Sequence, residues 1–193
     1  MDATVIVATY GDPKWVTLAN ARAVPSAESQ GVAVIQYHGE TLAKARNYAA
    51  SQADTEWLCF LDADDELAPG YFDAMKRASA DLRAPAVSWV IDGVASEPQV
   101  LSGRHIRNVN PCVIGTLIRK SMFDDVGGFW EERAYEDWSL FRRAWLNRAS
   151  LSHIADAVYV VNVSPDSRNN TVDDPDRLCK EIKISHNIWK RDR

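Results

Sequence analysis

Three short apolar runs alternate with two segments of helical periodicity in the first 61 residues. The runs cover residues 4–8, 32–35 and 57–61, and the last of them, WLCFL, is apolar at every position. A strand without a polar face is typical of a parallel sheet that is covered on both sides. Between the runs, helices are predicted to begin near Pro13 and at Thr41, whose hydroxyl can accept a hydrogen bond from a first-turn amide.

The same alternation continues in the rest of the chain. A third helix is predicted to begin at Pro69, because side chains recur there at helical spacing on one face, namely Phe72, Met75, Ser79 and Leu82. Further strands are predicted at residues 86–91, 113–119 and 157–163, and further helices at residues 136–148 and 176–189. Residues 92–110 are predicted to form a loop with room for an edge strand, Gly127 and Gly128 a turn, and residues 166–174 a polar, turn-rich segment.

This order of elements predicts an α/β fold with a Rossmann-like, mostly parallel sheet and helices on both faces. We expect residues 1–165 to form one domain, and residues 166–193 to add a polar loop and an amphipathic helix that packs on it. In such sheets ligands bind beyond the carboxyl ends of the strands. Residues 9–12 and 62–65 are polar and are predicted to lie at those ends.

Charge and cysteine content narrow the class of protein. The net charge of −5 opposes binding to nucleic acid, so an anionic substrate requires a local cation or a helix N-terminus. The three cysteines include no CxxC pair, which favours a reducing compartment. No leader-like segment and no apolar stretch of membrane-spanning length is visible in the sequence. We therefore expect a cytoplasmic protein.

Two aspartates, Asp62 and Asp64, follow directly after the apolar run at residues 57–61. In extended backbone, residues two apart project to the same side, and two carboxylates in a partly dry crevice repel each other unless a cation is bound. Their hard oxygens suit magnesium, manganese or calcium. The alternative is a solvated acidic turn in which Asp65 or Glu66 caps the following helix.

Three segments together carry a family resemblance: TVIVATYGD at residues 4–12, LAKARNYAASQADTEWLCFLDADDELAPGYF at residues 42–72, and VGGFWEERAYEDWSLFRRAW at residues 126–145. In this order and spacing they resemble the family 2 glycosyltransferases, over about residues 3–165. The resemblance implies a single GT-A domain. It also implies inverting transfer of a sugar from a nucleotide diphosphate-sugar, most often UDP-linked, to an acceptor hydroxyl, assisted by Mn²⁺ or Mg²⁺.

The resemblance also implies roles for individual residues. Those that bind the donor are Thr9, Tyr10, Asp12, Arg46, Asp62 and Asp64. Within that set, Asp64 ligates the metal, and Asp62 contributes directly or through water. Asp137 matches the base that takes the proton of the acceptor hydroxyl, while Trp89 and Glu136 are candidates for contact with the sugar. Trp130 also lies in a loop where it could touch a sugar.

Without the resemblance, simpler interpretations apply to three of these positions. Arg46 lies on an alanine-rich helical face and would be an exposed side chain whose apolar stem covers its neighbours. Glu136 and Asp137 begin a predicted helix, where acidic residues stabilise the positive end of the helix dipole.

The sequence departs from the family pattern in two places. After the second strand, where relatives carry an acid that holds the base, residues 36–40 read QYHGE, so Glu40 or a stacking Tyr37 would have to substitute. Near the last strand, where many relatives carry a metal-binding histidine, Asn162 is the nearest polar candidate, and an amide oxygen is a weak substitute.

These departures leave other classes of protein open. A nucleotide-sugar-binding module of the same fold with little or no activity is the main alternative. A phosphohydrolase with Asp62 as nucleophile is disfavoured because no hydroxyl residue follows the pair, and a nucleotidyltransferase because no glycine-rich basic segment follows the first strand. The acceptor is not indicated, and an acceptor-binding region would be minimal or supplied by another subunit, so an oligomer is compatible with the sequence.

Overall fold

The computed structural model describes residues 1–103, 105–163 and 173–191. Within them the strands are β1 (Ala3–Tyr10), β2 (Ala33–Gly39), β3 (Trp57–Leu61), β4 (Glu66–Leu67), β5 (Leu82–Ile91), β6 (Val94–Ala95), β7 (Leu117–Arg119) and β8 (Leu151–Asn162). The helices are α1 (Lys14–Ala21), α2 (Ala23–Glu28), α3 (Leu42–Ser51), α4 (Tyr71–Met75), α5 (Lys120–Asp125), α6 (Glu136–Leu146) and α7 (Pro175–Arg191).

All of the strands belong to one sheet with the order β2-β1-β3-β7-β5-β8-β4, and β6 pairs with β5 beside this path. The pairs β1–β2, β1–β3 and β5–β8 are parallel and contain most of the paired residues. The short strand β7 runs antiparallel to both β3 and β5 and thereby joins the two parallel groups. The predicted α/β fold with a mostly parallel sheet is confirmed.

Helix α3 lies close to the sheet because its inner face is made of small side chains. Thr41 caps the helix by accepting a hydrogen bond from the Lys44 amide at 3.2 Å, as predicted. Ala45 and Ala49 are completely buried. A Cβ added to Gly39 would lie 3.0 Å from the Cβ of Ala45, so both small residues are needed for this close approach.

The prediction of a long helix after Pro69 was wrong. Helix α4 ends at Met75, and Leu82 belongs to β5, where it pairs with Leu151. The buried Arg83 side chain donates to the carbonyls of Met75 and Ala80, so it satisfies groups that a longer helix would have bonded internally. The predicted strand at residues 113–119 is likewise shorter, because only Leu117–Arg119 pairs with the sheet.

The amphipathic helix predicted near the end of the chain is present as α7, and it packs against α6. Leu178 and Ile182 are buried as predicted, whereas Ser185 and Trp189 are only partly covered and His186 is completely buried. Of the predicted polar segment at residues 166–174, residues 166–172 lie outside the described part of the chain. Among the described residues, no helix combines the length and the apolarity that crossing a membrane requires.

Candidate active site

The acidic pair lies at the carboxyl end of β3, next to the end of β1. Strand β3 is buried at all five positions, so Asp62 is the first residue of this segment that reaches solvent. The Asp62 side chain is 39% exposed, and Asp64 is half-buried. The two carboxylates thus lie where a doubly covered parallel sheet opens to solvent.

Arg46 connects this strand end to helix α6. Its side chain is 2% exposed, and its guanidinium contacts the Asp62 carboxylate at 2.7 Å through Nη2 and the Glu136 carboxylate at 3.0 Å through Nη1. It also lies over the ring of Phe129, with 4.8 Å between the guanidinium carbon and the ring centroid. The interpretation of Arg46 as an exposed side chain was therefore wrong, because two carboxylates from distant parts of the chain compensate its buried charge.

Asn47, the next residue, holds the loop before α6 against α3. Its side-chain amide donates to the Phe129 carbonyl at 2.8 Å, and its oxygen accepts from the Phe129 amide at 2.8 Å. Gly128 has φ +63°, and a Cβ there would lie 2.5 Å from the Asn47 oxygen. The ARN and GGF segments of the sequence are thus two halves of one contact, and glycine is required where they meet.

Arg143 supports the same loop from the side of α6. It is completely buried and donates to the carbonyls of Val126 and Gly128, the latter at 2.6 Å. Its guanidinium also lies over the ring of Trp130, 4.1 Å from the centroid. Trp130 further contacts the rings of His186 and Trp189 in α7, so its contacts are with the helices and do not favour a role at the sugar.

Asp137 lies in the first turn of α6, after Tyr135, which has the left-handed φ of +60°. Its carboxylate accepts from the side-chain amide of Asn110 at 2.8 Å and from the Trp138 amide at 2.7 Å. Burial, with repulsion from Glu136, raises the pKa of Asp137 to about 7. A carboxylate with a pKa near neutrality is suited to general base catalysis. A carboxylate that only stabilises the helix dipole would not need a raised pKa.

Asp64 and Asp65 have different surroundings although they are adjacent. Burial and the nearby Asp62 raise the pKa of Asp64 to about 6. Asp65 is buried and accepts from the Tyr159 hydroxyl at 2.9 Å and from the backbone amide of Asn162 at 2.8 Å. These two hydrogen bonds connect β8 to the acidic segment. Burial, with repulsion from both other aspartates, also raises the pKa of Asp65. Its predicted alternative role as a helix cap was wrong, since no side chain caps α4.

The carboxylate oxygens at this site suit a hard cation only if a bound ligand supplies further oxygens. Within residues 1–103, 105–163 and 173–191, no group of three or more His, Cys, Asp and Glu side chains could hold a metal ion. Asp62 supplies part of the repulsion that raises the pKa of Asp64, and a divalent cation between them would relieve it. The side-chain nitrogen of Asn162 contacts Glu66 at 3.4 Å. Two carboxylates therefore fit a cation whose other ligands come from a diphosphate and water.

The three residues expected near the nucleoside lie at the end of β1 and in the loop that follows it. Thr9 is buried, and its hydroxyl contacts Nδ1 of His38 at 3.0 Å across the β1–β2 pair. Tyr10 is half-buried at the end of β1. The exposed Asp12 accepts from the Lys14 amide at 2.8 Å and so stabilises the start of α1. The Thr9 side chain thus joins β1 to β2, and the Asp12 side chain orders the loop between β1 and α1.

The segment after β2 presents two tyrosines. The rings of Tyr37 and Tyr48 are in contact, with 4.3 Å between their centroids and 35° between their planes, and both side chains are exposed to solvent. Glu40, the other candidate substitute for the missing acid, instead forms an ion pair with Lys44 at 2.7 Å. Of the two candidates, Tyr37 is the one that offers an aromatic surface.

Trp89, a predicted sugar contact, is half-buried and pairs with Val161 near the carboxyl end of β5.

Several other residues that shape the site were not identified individually from the sequence. Asn110 and Tyr159, which hold Asp137 and Asp65, had no motif of their own. Asn47 and Arg143 lay inside the ARN and FRRAW segments, so the family resemblance was the only signal that pointed to them.

A family model described as Glycosyl transferase family 2 matches residues 4–148. No curated protein matches the chain in sequence. Among solved structures, S. aureus TarS 1-349 in complex with UDP-GlcNAc aligns with a TM-score of 0.71 and 17% identity, covering 97% of this chain and 66% of that one.

Two further TarS structures are similar. TarS 1-349 in complex with UDP aligns with a TM-score of 0.61 and 20% identity over 96% of this chain and 70% of that chain. TarS 1-349 without a named ligand gives 0.62 and 21% over 84% and 60%. The chain thus spans between 60% and 70% of the length of these three chains, and at such identities the likeness shows the fold.

Proposed function

The chain belongs to glycosyl transferase family 2, and we propose that it transfers a sugar from a nucleotide diphosphate-sugar to an acceptor hydroxyl with inversion. UDP is the proposed nucleotide, because the similar TarS chains were solved with UDP-GlcNAc and with UDP. The proposed donor-binding residues are Thr9, Tyr10, Asp12, Arg46, Asp62 and Asp64.

One observation carries this proposal: the Arg46 guanidinium contacts Asp62 at 2.7 Å and Glu136 at 3.0 Å. Asp62 belongs to the acidic pair, and Glu136 is the neighbour of Asp137 in the first turn of α6. A donor held at the acidic pair would therefore have its sugar near a carboxylate of raised pKa. Holding the reactants in one geometry is a large part of the acceleration in such reactions.

We propose that Asp64 and Asp62 hold Mn²⁺ or Mg²⁺, with Asn162 as a weak further ligand. Bound there, the cation would neutralise charge that develops on the departing diphosphate. The buried guanidinium of Arg46 orients Asp62 through an ion pair, and Asp65 fixes the backbone of the acidic segment through Tyr159 and Asn162.

Asp137 is the proposed base. Its Oδ1 and Oδ2 accept from the Trp138 amide and from Asn110, which orients the carboxylate. In the reaction it would take the proton of the acceptor hydroxyl while that oxygen forms a bond to the anomeric carbon and the bond to the diphosphate breaks. Attack opposite the leaving group inverts the anomeric centre. Trp89 and Glu136 are proposed to contact the sugar.

A panel of nucleotide diphosphate-sugars tests the function. Thermal unfolding is measured with each donor, with and without Mn²⁺, because a ligand that binds only the native state raises the unfolding temperature. Slow release of free nucleotide from the stabilising donor is then followed by chromatography. Stabilisation by one donor with Mn²⁺ and its turnover support the proposal. Donor binding without any turnover or transfer would instead identify an inactive binding module.

The proposed location is the cytoplasm, because Cys59, Cys112 and Cys179 are all free thiols, which a reducing compartment maintains. We also propose that residues 166–193 belong to the same domain as residues 1–165. The burial of Leu178 and Ile182 of α7 in the shared core supports that assignment.

A further inference from the structure

A cavity of about 370 Å³ lies between α6, α7 and the loop that precedes Asn110. The described residues that line it are Arg107, Asn108, Arg142, Leu146, Lys183 and Asn187. Three of these side chains are cationic, two are amides and none is acidic. In a chain with a net charge of −5, this is a local concentration of positive charge.

Within the part of the chain that the structure describes, no carboxylate forms an ion pair with the cations of this pocket. Arg142 is 3% exposed, and its guanidinium contacts Nδ1 of His186 at 2.9 Å and the Arg107 carbonyl at 3.4 Å. Burial, with repulsion from Arg143 and Arg142, lowers the pKa of His186 to about 3, so this histidine is neutral at physiological pH. A buried guanidinium between neutral partners retains its full positive charge.

The other two cations lie near aromatic rings of α6. Arg107 lies 5.5 Å from the ring of Trp145, and the Lys183 ammonium lies 5.7 Å from the ring of Trp138. Neither forms an ion pair with a carboxylate in the described part of the chain. Ring faces orient a cation without neutralising it, so its hydrogen-bond donors can serve an anion.

The pocket and the proposed base share two structural elements. Arg142 follows Asp137 by five residues in α6, which corresponds to about 7.5 Å along the helix axis and about 140° around it. The loop of Arg107 and Asn108 continues to Asn110, whose amide holds the Asp137 carboxylate at 2.8 Å. One acceptor that reaches Asp137 with a hydroxyl and the pocket with an anion must therefore extend both along and around α6.

We propose that this pocket binds a phosphate group of the acceptor. The inference rests on the proposed function, because it assigns the pocket to the acceptor of that reaction. Arginine side chains form paired hydrogen bonds with phosphate oxygens, and a phosphate presents three oxygens and up to two charges to three cations. A carboxylate, with two oxygens and one charge, would satisfy fewer of these donors.

Inorganic phosphate is the probe for the pocket. It is titrated against the whole chain at constant ionic strength, with chloride as the compensating anion, and binding is followed by tryptophan fluorescence, since Trp138 and Trp145 adjoin the cations. The variants are Lys183→Gln and Arg107→Gln, and Lys180→Gln is the matched control because it makes the same change at an exposed position of the same helix. Circular dichroism in phosphate-free buffer checks that each variant folds.

Lys183→Gln and Arg107→Gln are each expected to weaken phosphate binding about tenfold, the effect of losing one charge-assisted hydrogen bond, while Lys180→Gln binds like the wild type. Equal binding by all four proteins would overturn the proposal. A second arm adds UDP with Mn²⁺. If UDP displaces phosphate, the pocket serves the donor and the acceptor assignment is wrong; simultaneous binding supports it.

Donor turnover by the wild-type chain separates this inference from the proposed function. If a donor is bound and turned over while phosphate does not bind, the pocket assignment fails alone. If phosphate binds in the pocket but no nucleotide-sugar is bound, the proposed function fails, and with it the assignment to an acceptor.

Discussion

Two buried arginines, Arg46 in α3 and Arg142 in α6, have different partners, and the clusters around them therefore carry net charges of opposite sign. Arg46 is shared between the carboxylates of Asp62 and Glu136. Asp64 lies just after the first of these acids and Asp137 just after the second, so negative charge is in excess there. Arg142 instead contacts a neutral histidine and a carbonyl, and two more cations lie nearby. The first cluster, at the end of β3, suits a cation with its diphosphate, while the second, between α6 and α7, suits an anion.

Replacing Asp137 with Asn is expected to have the largest effect. The amide keeps the size and polarity of the side chain but accepts a proton poorly, so the rate of sugar transfer should fall by about three orders of magnitude. Donor affinity, measured by titration with Mn²⁺, should change less than about twofold, since the acidic pair is untouched.

Phosphate binding to Asp137→Asn serves as the control, because it reports on the cationic cluster alone. Wild-type phosphate affinity together with lost transfer would separate the two clusters functionally. A variant that still transfers sugar at the wild-type rate would show that Asp137 is not the base.

Replacing Arg46 with Met tests the charge balance of the acidic cluster. Removing the buried guanidinium leaves the partly exposed carboxylates of Asp62 and Glu136 without a counter-charge, and we expect the free energy of unfolding to fall by about 2 kcal/mol, measured by urea denaturation. Arg77→Met is the matched control, because its pair with Asp156 is exposed on both sides and should contribute less than about 1 kcal/mol. Equal losses in the two variants would mean that Arg46 contributes no more than a surface pair.

Acid should lower the free energy of unfolding through His186, the neutral partner of Arg142 in the cationic cluster. Its pKa of about 3 in the folded chain lies below the ordinary 6.5, so between those values the unfolded state binds the proton more readily. This contribution is complete above pH 6.5 and is lost as the pH falls toward 3; at pH 5 the loss is on the order of 2 kcal/mol. The unfolding free energies of wild type and His186→Gln, measured from pH 7 to pH 4, should therefore converge or cross. A constant difference would contradict the lowered pKa, and His105→Gln controls for an exposed histidine.

The pH dependence of turnover should report the acidic cluster. Because the deprotonated form of Asp137 is the active one and its pKa is raised to about 7, kcat/KM should increase about tenfold per pH unit below 7 and level off above it. The raised pKa of Asp64, about 6, adds a further loss below that value, since a protonated carboxyl does not bind a cation. In Asp137→Asn the residual activity should lose the step near pH 7. A flat wild-type profile between pH 5.5 and 8 would rule out a base of this pKa.

Much of the fold could be predicted from local pattern, because that pattern is set by neighbours along the chain. The unbroken apolar run of β3 requires burial on both faces, and the first polar residue after it must then lie at the edge of the sheet. The hydroxyl of Thr41 caps α3 through an amide only three residues away. Helix α4 was predicted too long because its periodicity continued into β5, and Arg83, which bonds the carbonyls of Met75 and Ala80, gives no local signal of that role.

From the sequence alone, the α/β class, the family and the acidic residues at the strand end were determined, since each depends on residues close together or on motifs in a set order. The tertiary structure decided which charges meet: Arg46 with Glu136, 90 residues later, Asn110 with Asp137, and Arg142 with His186. Whether an arginine is exposed, shared between carboxylates or left without one depends on what folding brings to it from distant segments. The charge and burial of each cluster are properties of those long-range contacts, which no periodicity along the chain encodes.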